Sequence, residues 1–152
     1  YQTTIRNGTR CSSAEAYLKP VRDRKNLKVI THATASRVTF ERGRATGVVY
    51  SVKGRGAFCE GAAREVIVCG GAINSPQLLM LSGIGPAAQL RRHGIEVLLD
   101  MPAVGDHLQD HLDVCTMQRC TQPLTYDQAS DVMVGLQYYL QRKGPGTSNI
   151  AE

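Results

Sequence analysis

The residues best suited to chemistry lie between positions 65 and 83. Glu65-Val66-Ile67-Val68-Cys69 is the best strand pattern in the chain, a continuous apolar run that predicts burial on both faces, as in a parallel sheet. Gly70-Gly71-Ala72 follows, small residues where a strand can turn beneath a ligand. Asn74 or Ser75 can cap the next helix, and Pro76 suits its first turn, where no backbone N–H is needed. Residues 77–82 continue the helix and Gly83 can end it. A buried strand, a small-residue turn and free N–H groups at a helix N-terminus together make an anion site. The pattern points to the edge of a nucleotide cofactor without saying which. A tight strand–helix connection that holds no ligand satisfies the same residues.

Two other motifs invite a chemical reading and resist it. Gly83-Ile84-Gly85-Pro86-Ala87-Ala88 fits the dinucleotide pattern G-x-G-x-x-A, but that pattern needs a strand before it. Here a helical segment precedes it, and Pro86 removes an N–H that could meet phosphate. Gly54 and Gly56 lack a third glycine and read as a hairpin turn. His107 and His111 would share one face of a helix, a spacing that can ligate a metal. The glutamate of H-E-x-x-H is missing and no clear third ligand follows, so a loop-to-helix segment with ordinary hydrogen bonds is the better reading and no metal is assigned.

The elements that must position these residues form a mixed α/β pattern. Ser12 with Glu15 three residues on resembles a capping box, opening a helix through Tyr17 and Leu18 that stops near Pro20. Residues 27–31 read as a strand. Residues 38–40 and 46–50 read as a hairpin turned by Glu41-Arg42-Gly43-Arg44, with 57–62 as a short edge strand. Residues 114–119 read as another strand. Residues 130–142 read as an amphipathic helix with Val132, Leu136, Tyr139 and Leu140 on one face.

Composition narrows the function classes. The 152 residues are 42% hydrophobic, enough for a core, and no apolar run is long enough to span a membrane. The charge of +5 is dispersed, as in Arg22-Asp23-Arg24-Lys25, and aromatics are only 5%, which argues against nucleic acid as a partner. Five cysteines, Cys11, Cys59, Cys69, Cys115 and Cys120, make an odd set without a C-x-x-C pair. That excludes a disulfide framework or zinc knuckle, makes Cys69 a buried reduced thiol, and implies a reducing, cytoplasmic setting. With no Met at position 1 and no secretory leader in residues 1–10, the chain reads as a piece of a longer one.

A family resemblance joins these observations. Gly71-Ala72-Ile73-Asn74-Ser75-Pro76-Gln77-Leu78-Leu79-Met80-Leu81-Ser82-Gly83-Ile84-Gly85 resembles the second signature of glucose–methanol–choline (GMC) oxidoreductases at every constrained position. Gly8-Thr9-Arg10-Cys11-Ser12, Ala16-Tyr17-Leu18 and Asn26-Leu27-Lys28-Val29 resemble the stretch leading to that family's second cofactor-binding strand. Val104-Gly105-Asp106-His107-Leu108-Gln109-Asp110-His111 resembles its V-G-x-N-L-Q-D-H segment, with His107 in place of the usual Asn. The likeness covers essentially the whole chain and is nearest to choline-dehydrogenase-like members.

The resemblance implies an internal part of a Rossmann-like FAD-binding domain over residues 1–113 and the start of a substrate domain over 114–152. It implies FAD as cofactor, a backbone contact to adenine at Ala35, and the turn Gly70-Gly71-Ala72 beneath the cofactor. Glu152 corresponds to a substrate-domain carboxylate facing cationic alcohols, though a surface glutamate fits equally well. No catalytic residue falls in this span: the G-x-G-x-x-G unit and the histidine base lie outside it, and none of the four histidines inherits that role. The implied reaction is oxidation of a primary alcohol, choline first, by hydride transfer to flavin. The remainder of the same polypeptide would be the main partner, with membrane association of the intact protein left open. The competing reading is a non-catalytic α/β binding module with an incomplete cofactor site.

Overall fold

The structure, a computed structural model, describes residues 4–119, 121–122 and 129–147. The chain divides into two compact units, residues 30–113 and residues 1–29 together with 114–152.

The second of these units opens with a two-stranded ribbon, β1 (Ile5–Arg6) and β2 (Thr9–Arg10), paired antiparallel. The Ser12 helix start is present: the Glu15 N–H donates to Ser12 Oγ at 3.4 Å, and Lys19 pairs with Glu15 at 2.8 Å. The helical run is wide over Ala14–Leu18 and tightens to a 3₁₀ turn over Lys19–Val21. Pro20 sits within that last turn, and the helical run ends at Val21, near Pro20 as expected.

The unit of residues 30–113 is built on a three-stranded antiparallel sheet. Its strands are β3 (Ala33–Glu41), β4 (Arg44–Val52) and β5 (Gly56–Gly61), in that order. Both central turn residues of the first hairpin have positive φ, Arg42 at 50° and Gly43 at 77°. Such a turn has the twist that two-residue hairpins require. β3 and β4 run further than the sequence pattern suggests, and the expected turn at Gly54 lies at residues 53–55, with Gly56 opening β5. Pairing shifts between Ala35 and Arg37, which leaves Ser36 as a bulge whose hydroxyl donates to the Val49 carbonyl at 3.0 Å.

Helix α1 (Gly71–Leu81) packs on this sheet. It begins at Gly71, not near Asn74, and neither Asn74 nor Ser75 caps it; Pro76 is inside the helix. The turn at Gly70 and Gly71 supplies the entry geometry earlier than the cap-like residues suggest. Gly71 has φ +83°, a region that favours glycine. The helix ends where expected: Gly83, φ +89°, donates its N–H to the Met80 carbonyl. Strand β6 (Ile84–Gly85) then runs parallel to β7 (Leu99–Asp100), with helix α2 (Ala87–Arg92) between them. The Asp100 carboxylate accepts the Ala87 N–H at 2.9 Å and so caps α2 from outside it. Among the described residues the buried hydrophobics are Val38, Ala87 and Leu90.

Helix α3 (Asp131–Gln141) matches the expected amphipathic helix, with Ser130 at its N-cap position. Val132, Leu136, Tyr139 and Leu140 are all exposed.

Three expected strands do not form. Residues 27–31, 65–69 and 114–119 belong to no sheet. Within 65–69, Val66 and Val68 are half-buried, while Ile67 is 74% exposed, so burial on both faces is also overturned. Cys69 is an exposed free thiol rather than a buried one. β-branched residues favour extended backbone, but a strand exists only where a neighbouring chain accepts its hydrogen bonds. No helix among the described residues is long and apolar enough to cross a membrane.

One side chain joins helix to sheet. The Val38 N–H donates to Ser82 Oγ at 2.8 Å, and the Ser82 hydroxyl donates to the Leu78 carbonyl at 2.6 Å. Val38 is only 5% exposed, so loss of the serine hydroxyl leaves a largely buried donor to be satisfied. Ser82→Ala is expected to lower the unfolding free energy by about 1–3 kcal/mol, the cost of a stranded buried donor. A urea titration reads this directly, and an unchanged midpoint would show that Val38 has another acceptor.

Candidate functional site

One face of α1, from Ala72 to Met80, forms one wall of an open cleft of about 600 Å³. Ala72, Ile73, Pro76 and Met80 line it from the helix, with Gly105 and His107 from the facing loop. Proline has no N–H, so the Ala72 carbonyl lacks the helical bond that residue 76 would otherwise give. The first helical N–H groups have no side-chain cap, and no acidic residue occupies the first turn. This end of the helix therefore presents uncancelled partial positive charge.

The glycines at the turn differ in what they leave open. A Cβ on Gly70 would lie 3.1 Å from Asn74 Cβ, so that residue folds tightly onto the helix start. A Cβ on Gly71 would meet nothing within 4 Å. The turn thus combines tight backbone at Gly70 with open surface at Gly71, next to the cleft-lining Ala72. Ala35 lies on β3 next to the Ser36 bulge, where the ladder is interrupted and the backbone is exposed. Helix α1 packs on β3 through its C-terminal end, at Ser82 and Val38. An eleven-residue helix is about 16 Å long, which separates that joint from Gly71. Glu152 lies outside the described residues.

A second cleft, of about 530 Å³, lies between β3 and the end of α1. Arg37, Phe40 and Glu96 line it, its floor is the Ser82 joint, and it contains none of the expected site residues. His107 and His111 lie in a loop rather than on a helix, which removes the shared face on which a metal reading depended. The loop forms because each preceding aspartate takes the histidine N–H, Asp106 to His107 at 2.9 Å and Asp110 to His111 at 2.8 Å. Among the described residues no group of three ligand-type side chains could hold a metal.

Residues 1–113 match the family model for GMC oxidoreductase. The chain belongs to the GMC oxidoreductase family. It is 47% identical to an oxygen-dependent choline dehydrogenase of Brucella anthropi, over 97% of this chain and 27% of that protein. It is 39% identical to the crystal structure of pyridoxine 4-oxidase from Mesorbium loti, with a TM-score of 0.60, covering 64% of this chain and 19% of that one. A fungal aryl-alcohol oxidase superposes with a TM-score of 0.78 at 26% identity, covering 97% of this chain and 26% of that one. This GMC oxidoreductase chain therefore spans about a quarter of the length of the curated relatives it matches, 27% for the Brucella anthropi protein. The mixed α/β class is that of these flavoprotein neighbours, although the antiparallel sheet is the larger one among the described residues.

The cleft contributions of Met80 and Gly105 escape a linear reading of this GMC sequence. Nothing local pairs residue 80 with residue 105. The available signal is the glycine at 105, which has φ +80° and whose Cβ would lie 3.4 Å from Met80 Cε. The Gly83/Gly85 pair, by contrast, is structural, as its position after a helix suggests. A Cβ on Gly83 would come 2.6 Å from the Glu96 carbonyl oxygen, and one on Gly85 would come 2.7 Å from Met80 Cγ. These positions let β6 approach the 96–98 segment, whose Leu98 N–H donates to the Gly83 carbonyl at 2.8 Å. Gly83→Ala is expected to cost about 2–4 kcal/mol through backbone strain and overpacking. A calorimetric scan without added nucleotide checks it. A stability loss confined to nucleotide-loaded protein would restore a phosphate role to this motif.

Proposed function

We propose that this chain is part of an FAD-dependent enzyme that oxidises a primary alcohol to a carbonyl compound. Residues 1–113 would belong to the FAD-binding domain and residues 114–152 would begin the substrate domain. The observation that supports it best is the match of residues 1–113 to the GMC oxidoreductase family model, with the Gly70-Gly71-Ala72 turn at the start of α1.

The residues present fit an FAD, and each would have a limited task. Gly70, Gly71 and Ala72 would let backbone approach the cofactor, and the uncapped first turn of α1 would face its negative charge. Ala35, at the interrupted ladder, would offer backbone hydrogen bonds to the adenine. When bound, the flavin supplies the redox chemistry by accepting a hydride from the alcohol carbon. The base for the hydroxyl proton is not among these residues. Choline is the first substrate choice, on the name of the relatives, with other primary and aromatic alcohols behind it. Glu152 is the acid proposed to meet a cationic alcohol.

The whole protein should therefore purify yellow, and Gly71→Val should weaken flavin retention roughly tenfold or more, since a β-branched residue is strained at positive φ and fills the space. A colourless protein that takes up no added FAD would support the non-catalytic module instead. A fully yellow, fully active Gly71→Val variant would remove that turn from the cofactor site.

Glu152→Gln tests the substrate. If the carboxylate meets the ammonium group, kcat/KM for choline should fall roughly 5- to 150-fold while a neutral alcohol of similar size changes little. Equal losses on both alcohols would make Glu152 structural, and no loss on either would make it a bystander.

A further inference from the structure

The strained residue on the cleft wall carries a further inference. Among the described residues, five other than glycine have positive φ: Asn7, His32, Arg42, His107 and Arg142. Four of them have local duties. Asn7 and Arg42 turn the β1–β2 and β3–β4 hairpins, and Arg142 caps the end of α3. His32 leads into β3, and its carbonyl accepts the Lys53 N–H across the end of that sheet. His107 closes no hairpin and caps no helix. It stands in a loop that faces α1 across the cleft.

A glycine would adopt φ +53° without strain, so the backbone alone gives no reason for a side chain there. Packing gives none either, because the His107 side chain is 85% exposed. Asp106 accepts the backbone His107 N–H with Oδ1, and the imidazole Nε2 lies 3.6 Å from Asp106 Oδ2, beyond hydrogen-bond distance. Among the described lining residues of this cleft, His107 is the one side chain that can carry positive charge, and Asp106 the one that carries negative charge. An anionic ligand entering the cleft meets a carboxylate, and the imidazole is placed to offset it.

We propose that His107 is a cofactor-binding residue, its imidazole donating a hydrogen bond to an oxygen of FAD bound in the α1 cleft. The proposal rests on the flavin reading of the same site. The strain at His107 is then the cost of holding a donor at a fixed place.

The test is FAD affinity of the whole apoprotein, measured by quenching of flavin fluorescence, together with the apoprotein melting temperature. His107→Gly keeps the backbone conformation and removes the ring; His107→Asn tolerates the same backbone and keeps an N–H donor. His107→Gly should raise the FAD Kd about 10- to 100-fold, the range for one hydrogen bond to a charged group. His107→Asn should recover much of that loss, and neither variant should lower the melting temperature of the apoprotein. Unchanged FAD affinity in His107→Gly would overturn the proposal. So would equal weakening in both variants accompanied by an equal fall in melting temperature, which would mark a structural residue. A wild-type protein that takes up no FAD would instead overturn the flavin reading, and this contact with it.

Discussion

The Ser82 hydroxyl is the hinge pin of residues 30–113. Apolar contact is non-directional and would not by itself fix α1 along β3. A hydroxyl that accepts from Val38 and donates to Leu78 fixes both the register and the end of the helix. Everything beyond it inherits that placement. Gly83 turns the chain at the next residue, β6 follows, and the carbonyls of Gly83 and Gly85 receive the 98–101 segment. The position of the α1 N-terminus, and so of the cleft, is set from the opposite end of the helix.

What could be read from the sequence was what local chemistry decides. The β3–β4 hairpin follows from Arg42-Gly43, the end of α1 from Gly83, and the structural nature of Gly83/Gly85 from the helix before it. The start of α1 was misread because Asn74-Ser75-Pro76 has the residue types of a helix entry, while the positive φ at Gly71 had already provided one. Residues 27–31, 65–69 and 114–119 have the composition of strands without the partners. Strand propensity is a property of a segment, whereas a strand is a property of at least two.

The site was legible unevenly for the same reason. Gly70-Gly71-Ala72 could be singled out because turn, spacing and helix start are contiguous. The facing wall, residues 105–109, comes from far along the chain, and its conformation depends on aspartates that divert two histidines from a helix. Side chain to backbone bonds of this kind compete with helical ones and are hard to weigh from spacing alone. Family resemblance supplied the link that physics left open, by placing both segments in one known pattern.

The run at 65–69 has a consequence for handling the molecule. Val66-Ile67-Val68 is short, uncharged and β-branched, lies in no sheet, and exposes Ile67. Glu65 is the charge beside it, and Cys69 adds an exposed thiol at the other end. An extended apolar segment with open backbone is a template for edge-to-edge association between copies. Wherever this segment is left without a neighbouring strand, self-association should grow with concentration, and oxidation of Cys69 would lock the pairs covalently.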